Sequence, residues 1–364
     1  MFSTRKLGVS LLLAFAVLAS GATRLAAASR QASPPAGLLR AVRALRAQEQ
    51  AVRNIRIHAA CVFHGQLYDP RAKKFVWLPD AIGRDRLTAT FDGSPRGSFR
   101  ADVPMEWATG PYGHLGHVFV DSYIVAYNGR VGTYLQTAIA SVGSKKLFPY
   151  NHGSVSGKMP IEWDTIDEAS GWAYCVFGFD GDVRSAEHPR FSKYISPGQK
   201  GITVNARWTR WKGRRYLQVT RTGPPLGRDV FLLDPRKAYS IVRCEHHGWT
   251  PVRSRAGRIH LTPTARAEWW FDVGGFIEPK IGVFYPRTIH LESVDPLNNI
   301  KLMSIRVNVS KVVLNNPKVN AGTWVVKFPR GALIEDEATG RYIRIVGTPQ
   351  QQLKEIEAAV KADR

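Results

Sequence analysis

"ITVNARWTRWKGRRYLQVTR", residues Ile202–Arg221, is the stretch that decides the fold, because its side chains alternate in character on both sides of a glycine-containing turn. Apolar and polar residues alternate up to Trp208 and again from Tyr216 to Val219, the period of two expected of a half-buried strand. Lys212-Gly213 supplies the turn between the two runs. The stretch therefore predicts a β-hairpin with one apolar face and one charged face.

The same hairpin has a second, functional interpretation. Two tryptophans and a tyrosine stand among its cations, as aromatic and basic residues do in grooves that hold polyanions. The cations of this alternative site are Arg207, Arg210, Lys212, Arg214 and Arg215. A hairpin also exposes charged side chains simply because they face water, and no known nucleic-acid-binding motif accompanies these. Nucleic acid is therefore not an expected partner.

Strand-like segments continue on both sides of the hairpin. "YNGR", at Tyr127–Arg130, predicts another hairpin, since Asn-Gly favours the positive φ angles of a type I′ turn. The strands predicted in the second half of the chain are Ile202–Arg210, Arg215–Arg221, Asp229–Leu233, Ala238–His246, Ala267–Phe276, Val283–Val294, Lys301–Leu314, Thr323–Phe328 and Arg341–Val346.

Helices are predicted mainly towards the ends of the chain. Leu38, Val42, Leu45 and Val52 have the spacing of an amphipathic helix, with arginines between them. Further helices are predicted at Ile161–Phe177 in the middle and, from the spacing of its apolar residues, at Pro349–Val360. Helices flanking an antiparallel meander indicate an α+β fold.

The first residues have the pattern of an export signal. Arg5 and Lys6 precede an apolar run of 12 residues, Leu7–Leu18, and small residues follow. The run is too short for a hydrocarbon core about 30 Å thick. We expect a signal peptide at 1–28, cleaved after Gly21 or Ala28, followed by a linker at 29–37. The chain is then periplasmic or secreted, with no transmembrane segment.

The composition indicates a folded, strongly basic protein. With 51 Lys and Arg against 29 Asp and Glu, the formal charge is +22 at pH 7, while 44% of residues are hydrophobic. Charge of this size favours contact with anionic surfaces but does not determine the fold.

The histidines come nearest to the spacing of metal ligands. His114 and His117 are three residues apart in a glycine-rich segment, and could share a metal only if that segment bends suitably. His246 and His247 are adjacent and point to opposite faces if they lie in a strand. Neither a metal nor another cofactor is predicted.

No pattern of nucleophile and base stands out. Cys61, Cys175 and Cys244 are far apart, so export is compatible with one disulfide, but the pairing stays open. Glu162 and Asp167, within "EWDTIDE", would suit a carboxylate pair for glycoside hydrolysis, yet acidic residues are also typical of the first turns of a helix. We therefore predict a binding protein without catalytic activity.

Two later motifs carry a family resemblance. Between Leu232 and Glu245, a "D-P-x-x-x-Y" element leads into a strand of the "V-x-R-x-E" type. A later element has Ile334 in a place usually taken by valine, and its other matching positions are Phe328, Pro329, Gly331, Asp336, Gly340 and Tyr342. With the signal peptide and the first helix, these motifs resemble the exported LolA/LolB-like proteins of planctomycetes and related bacteria, in the outer-membrane lipoprotein-sorting-protein-like superfamily.

The resemblance implies a half-open β-barrel. A curved antiparallel sheet would surround an apolar concavity, with N-terminal and mid-chain helices covering the concave face. Residues 38–348 would form this single domain, with an insertion around 145–201 and a helical tail at 349–364. Oligomeric state is left open.

The resemblance also implies a hydrophobic or amphiphilic ligand, namely a lipid or a lipidated client in the half-barrel cavity. The residues expected to bind it are Leu232, Ile241, Trp269, Phe271, Trp324 and Val326. The alternative is a basic cell-envelope protein that binds acidic polymers through the hairpin cations.

Overall fold

The computed structural model describes residues 35–69, 74–77, 83–92, 99–106, 120–128, 130–140, 147–156, 190–223, 227–253, 259–264, 266–295, 299–324, 326–337 and 339–344. The helices are α1 (Ala36–Ala51) and α2 (Phe191–Tyr194). The strands are β1 (Asn54–Asp69), β2 (Lys74–Trp77), β3 (Gly83–Asp92), β4 (Phe99–Glu106), β5 (Val120–Tyr127), β6 (Gly132–Ala140), β7 (Leu147–Ser156), β8 (Thr203–Trp211), β9 (Arg214–Gly223), β10 (Gly227–Asp234), β11 (Ser240–His247), β12 (Trp249–Arg253), β13 (Ile259–Pro263), β14 (Trp269–Val273), β15 (Phe276–Lys280), β16 (Val283–Pro286), β17 (Thr288–Asp295), β18 (Ile300–Leu314), β19 (Leu333–Asp336) and β20 (Arg341–Arg344).

Most of these strands belong to one large sheet. Within the described residues it has sixteen strands, in the order β20-β19-β7-β6-β5-β4-β3-β1-β18-β17-β14-β11-β10-β9-β8, with β2 paired to β1. Neighbouring strands are antiparallel except β7 and β19. The order runs from β20 to β8 without closing on itself. The α+β prediction with a largely antiparallel, open sheet is therefore confirmed.

Helix α1 covers one face of the sheet. Its buried residues, including Leu38, Ala41 and Leu45, recur at helical spacing, and the helix ends where Val52 takes an extended conformation. They share one core cluster with strand residues that we call the covered face, among them Leu217, Phe231, Ile241 and Phe271. The sequence prediction of an amphipathic helix in this place is confirmed.

Two smaller apolar clusters lie elsewhere. Val326 and Phe328 pack with residues of β5, β6, β7 and β19, which makes a second core at the β20 end of the sheet. Tyr216, Leu232 and Val242 form a third cluster. The buried apolar residues therefore form three separate clusters rather than a single core on one face of the sheet.

Some predicted strands differ in the structure. Ala267–Phe276 and Val283–Val294 each divide in two, the first at Gly274-Gly275, where Gly275 has φ 152°. The predicted strand Thr323–Phe328 is wrong: Ala321–Trp324 forms a 3-10 turn. The side chain of Asn320 accepts a hydrogen bond from the Gly322 backbone at 2.9 Å. Such local bonds compete with sheet pairing.

The β5–β6 hairpin is present, as "YNGR" predicted. Its turn differs, because Asn128 does not adopt a positive φ angle. The Asn128 side chain instead accepts hydrogen bonds from the backbone nitrogens of Arg130 and Val131, at 3.0 and 2.9 Å.

Several predicted segments lie outside the described residues. These are the signal peptide, the helices at Ile161–Phe177 and Pro349–Val360, and the residues His114, His117, Glu162, Asp167 and Cys175. The range 145–201 contains β7 and α2, and β7 is an integral strand of the sheet. None of the described helices combines the length and hydropathy needed to cross a bilayer.

Candidate anion-binding cleft

The hairpin predicted from the opening stretch is formed by β8 and β9. Trp208 pairs with Leu217 and Trp211 with Arg214, which leaves Lys212 and Gly213 as the turn. Both turn residues have positive φ angles, 48° and 75°. This is the backbone geometry of two-residue hairpin turns whose twist matches that of the strands.

One side of the hairpin packs under helix α1. Leu217 and Val219 are completely or almost completely buried there. A Cβ atom added to Gly37 of the helix would lie 3.2 Å from Leu217 and 3.6 Å from Trp208, so the helix approaches these side chains closely. The apolar face of the hairpin is therefore part of the covered face.

The opposite side of the same strands forms a cleft of about 770 Å³. Its side chains follow the register of the sheet, so that rows run across neighbouring strands. One row consists of Arg207, Gln218, Leu232, Arg243 and Asp272. The next consists of Asn205, Thr220, Val230 and Glu245. We call this side the cleft face.

Arg243 stands at the centre of an ion-pair network in the cleft. Its Nε lies 2.8 Å from Glu245 Oε1 and its Nη1 lies 2.6 Å from Asp272 Oδ1. Burial lowers the pKa of Arg243, but the hydrogen bonds and charges of the two carboxylates outweigh it and the pKa is raised above its ordinary value. This cation is fixed in position and already neutralised by its neighbours.

Arg228, unlike Arg243, contacts a histidine and not a carboxylate among the described residues. Its Nη2 lies 3.0 Å from His247 Nδ1, which is also 3.0 Å from the carbonyl oxygen of Thr264. The buried Nε of Arg228 has no hydrogen-bond partner. Within the described part of the chain, no carboxylate forms an ion pair with Arg228.

The cleft as a whole is electropositive. Five cations and two carboxylates line it. The cations are Arg207, Arg210, Lys212, Arg228 and Arg243. Of these, only Arg243 has a carboxylate partner among the described residues. The side chain of Lys212 also lies over the ring of Trp211, with Nζ 4.2 Å from the centroid.

The five hairpin cations predicted for polyanion binding do not all reach this cleft. Arg207, Arg210 and Lys212 line it. Arg214 and Arg215 are exposed and do not, and the Arg215 guanidinium lies 4.6 Å from the ring centroid of Trp208. Sequence reasoning did not predict Arg228 or Arg243 as binding residues. Arg243 is the arginine of the "V-x-R-x-E" element, whereas the only sequence signal of Arg228 is its alternation with buried neighbours in β10.

The six residues predicted to bind a lipid lie in three places. Ile241 and Phe271 are buried on the covered face, and half-buried Trp269 packs beside them. Leu232 is on the cleft face. Val326 is in the second core, and Trp324 is buried in the adjoining 3-10 turn. The structure therefore groups three of the six.

His246 and His247 point to opposite faces of β11, as predicted. His246 Nδ1 lies 2.7 Å from Asp229 Oδ1 on the covered face, and the His246 ring stacks on Trp269 with centroids 5.0 Å apart. Asp229 also accepts a hydrogen bond from the hydroxyl of Tyr194. This cluster ties α2 to the sheet. Within the described residues, no group of three or more His, Cys, Asp or Glu could hold a metal ion.

Cys61 and Cys244 are both buried in the main core. Because Cys175 is outside the described residues, the question of which cysteines pair, left open by the sequence, is not tested.

An open antiparallel sheet, covered by a helix on one face and indented by a basic cleft on the other, defines the architecture. The chain is similar to the solved structure of an outer membrane lipoprotein-sorting protein domain from Vibrio parahaemolyticus, with 7% identity, a TM-score of 0.39 and coverage of 79% of this chain and 95% of that one. It is also similar to a DUF1329 family protein from Desulfovibrio piger, with 8% identity, a TM-score of 0.39 and coverage of 79% and 95%. A LolA superfamily protein from Nitrosomonas europaea gives 8% identity, a TM-score of 0.36 and coverage of 79% and 99%.

The sequence matches no protein-family model and no curated protein. At such low identities and TM-scores, we derive neither ligand nor activity from the similar structures.

Proposed function

We propose that this chain is a non-catalytic binding protein that holds an anionic polymer in the cleft of β8–β11 and β14. The observation that carries the proposal is the set of cleft cations without carboxylate partners among the described residues, of which Arg228 is the most buried. Arg228 is half-buried, and keeping a cation partly out of water without a counter-ion costs free energy. An anionic ligand offsets that cost, so the site favours anions for a physical reason beyond net charge.

An extended ligand suits the cleft better than a single small anion. The row from Arg207 to Asp272 crosses five strands. At roughly 4.8 Å per strand it is about 19 Å long. Arg210 and Lys212 are exposed at its rim, close to the hairpin turn. If the leading residues direct export as predicted, the available polymers are those of the cell envelope.

The test is binding of anionic polymers compared with neutral dextran. Polyphosphate, polyglutamate and sulfated dextran should bind the mature protein, and the affinity should fall steeply as salt rises, since bound cations release counter-ions. Neutral dextran should not bind. If no anionic polymer binds better than neutral dextran, the proposal fails.

Two arginines of the same hairpin provide a matched pair of variants. Arg207 lies in the cleft row beside Gln218, whereas Arg215 is equally exposed but lies over Trp208 and does not line the cleft. Arg207→Gln should lower the slope of log affinity against log salt by about one, as the loss of one phosphate contact does in nucleic-acid complexes. Arg215→Gln should change this slope much less. Equal effects would show that only net charge matters and that the cleft is not the site.

A second candidate is carriage of an acyl chain on the covered face, in a LolA-like half-barrel. This candidate is favoured by the way helix α1 covers the apolar face of the sheet. Helix α1 lies on the apolar core through a stripe of aliphatic residues. Among the described residues, its side-chain hydrogen bonds to the rest of the protein involve Gln48, Glu49 and, at the end of the helix, the carbonyl of Ala51, which accepts from Asn315. Displacing the helix would open the apolar wall formed by the core cluster to which Ile241 and Phe271 also belong.

In the described structure this wall is filled by the protein's own side chains, so the second candidate requires α1 to move. Titration of the folded, delipidated protein with a fluorescent fatty acid tests it. Saturable uptake with micromolar affinity supports carriage, and its absence removes this candidate without affecting the cleft.

A further inference from the structure

The cleft contains many polar groups that carry no charge. Its lining includes the side chains of Asn205, Thr209, Gln218 and Thr220. Among the described residues, Asn205, Thr209 and Thr220 make no side-chain hydrogen bond, and the amide nitrogen of Gln218 makes none either, while its oxygen lies 3.4 Å from Arg207 Nη2. Such groups both donate and accept hydrogen bonds.

The two carboxylates of the cleft can only accept. Asp272 uses Oδ1 for Arg243, and its Oδ2 accepts no hydrogen bond from the described residues. Glu245 uses Oε1 for the same arginine, and its Oε2 lies 3.8 Å from His247 Nε2. A ligand that fits here must therefore bring hydrogen-bond donors as well as negative charge.

That requirement separates the classes of anionic polymer. Polyphosphate and the phosphodiester backbone of nucleic acids present closely spaced charges and acceptor oxygens, so the carboxylates of Glu245 and Asp272 would repel them and receive no hydrogen bond from them. An acidic polysaccharide carries its charges further apart and has hydroxyl groups between them. Those hydroxyls can donate to the carboxylates, while the acid groups pair with Arg207, Arg228 or Lys212.

The apolar part of the cleft agrees with this ligand. Val230 and Leu232 lie within the rows of polar residues, and half-buried Trp211 lines the cleft beside Lys212. Sugar rings present C–H groups on one face and hydroxyls at the edge, so they match a lining of aliphatic and aromatic carbon bordered by hydrogen-bonding groups.

We propose that the cleft is a binding site for an acidic, hydroxyl-bearing polysaccharide, of the polyuronate type. This inference rests on the proposed binding of anionic polymers and specifies the chemical class of the polymer. The discriminating feature is the placement of Asp272 and Glu245, with Thr220, among the cations.

The experiment compares polygalacturonate with polyphosphate at equal concentrations of charge and equal ionic strength, using the full mature protein. We expect polygalacturonate to bind at least about tenfold more tightly, since several hydrogen bonds to charged groups separate the two ligands. Tighter binding of polyphosphate would overturn the inference and leave the proposed function standing. Binding of neither would overturn the inference, and it would overturn the proposed function as well if polyglutamate and sulfated dextran also failed to bind.

Two variants test the donor requirement. Asp272→Asn removes a negative charge, which should strengthen polyphosphate binding while it takes away a carboxylate acceptor. The affinity for polygalacturonate divided by the affinity for polyphosphate should therefore fall by at least about fivefold. Thr220→Val removes a hydroxyl without changing charge, and should weaken only polygalacturonate. Lys280→Gln, on the exposed end of β15, is the control and should leave the ratio unchanged. An unchanged ratio in both cleft variants, with denaturation midpoints like that of the parent, would contradict the assignment.

Discussion

Truncation of Ile241 distinguishes a packed core from a ligand wall on the covered face. Ile241 is fully buried within the main core. Ile241→Ala removes the equivalent of three methylene groups, worth about 2.4 kcal/mol at about 0.8 kcal/mol each. A packed neighbourhood adds a cavity term, which places the total loss at about 3 to 4 kcal/mol, within the usual range for such truncations.

If Ile241 instead lined a space open to an acyl chain, the cavity term would largely disappear. Urea denaturation followed by tryptophan fluorescence measures the difference, with the m-value as a check that the transition remains two-state. Leu302→Ala is the control, because Leu302 is 45% exposed and its truncation should change stability by no more than about 0.5 kcal/mol. A loss below about 1.5 kcal/mol at an unchanged m-value would refute the packed-core reasoning.

Three further predictions concern the contacts that hold the fold together. Burial raises the pKa of Glu49, although hydrogen bonds from Ser192 oppose the shift. The stabilising contribution of Glu49 is therefore fully present below the pKa of the unfolded state, about 4.3 for glutamate, and is lost as pH rises through the raised pKa of the folded state. Glu49→Gln should weaken this pH dependence of the free energy of unfolding in denaturation curves measured from pH 4 to 8. Tyr194→Phe removes the hydroxyl that donates to Asp229 and should lower the free energy of unfolding by about 1.5 to 3 kcal/mol, measured by urea denaturation, with a smaller effect contradicting a buried charged hydrogen bond. Gly213→Ala places a Cβ on a residue with φ 75° but meets no neighbouring atom, so backbone strain alone should lower stability by about 1 kcal/mol; an unchanged thermal midpoint would contradict this.

The hairpin was predictable because its information is local. Alternation on either side of Lys212-Gly213 specifies both strands, their register and the face of each side chain. Helix α1 was predictable for the same reason, since its apolar stripe repeats within the helix itself.

The cleft was only partly predictable because it depends on how distant strands align. Arg243 comes beside Asp272 through the pairing of β11 with β14, 29 residues apart. An irregularity between Leu232 and Leu233 also changes the register of β10 against β11. A change of one residue moves side chains to the other face. Leu232 therefore lies in the cleft, whereas Ile241 lies on the covered face, although the sequence pattern placed both on one wall.

Strand β8 ends the sheet, and within the described residues its outer backbone groups have no strand partner. Exposed edges of this kind recruit strands from other molecules unless charged side chains prevent it. Arg207, Arg210 and Lys212 therefore also protect the protein against self-association. A polyanion that neutralised them would lower this protection at the moment of binding. Saturation of the cleft and the tendency of the protein to assemble edge to edge are in this way physically linked through the same three side chains.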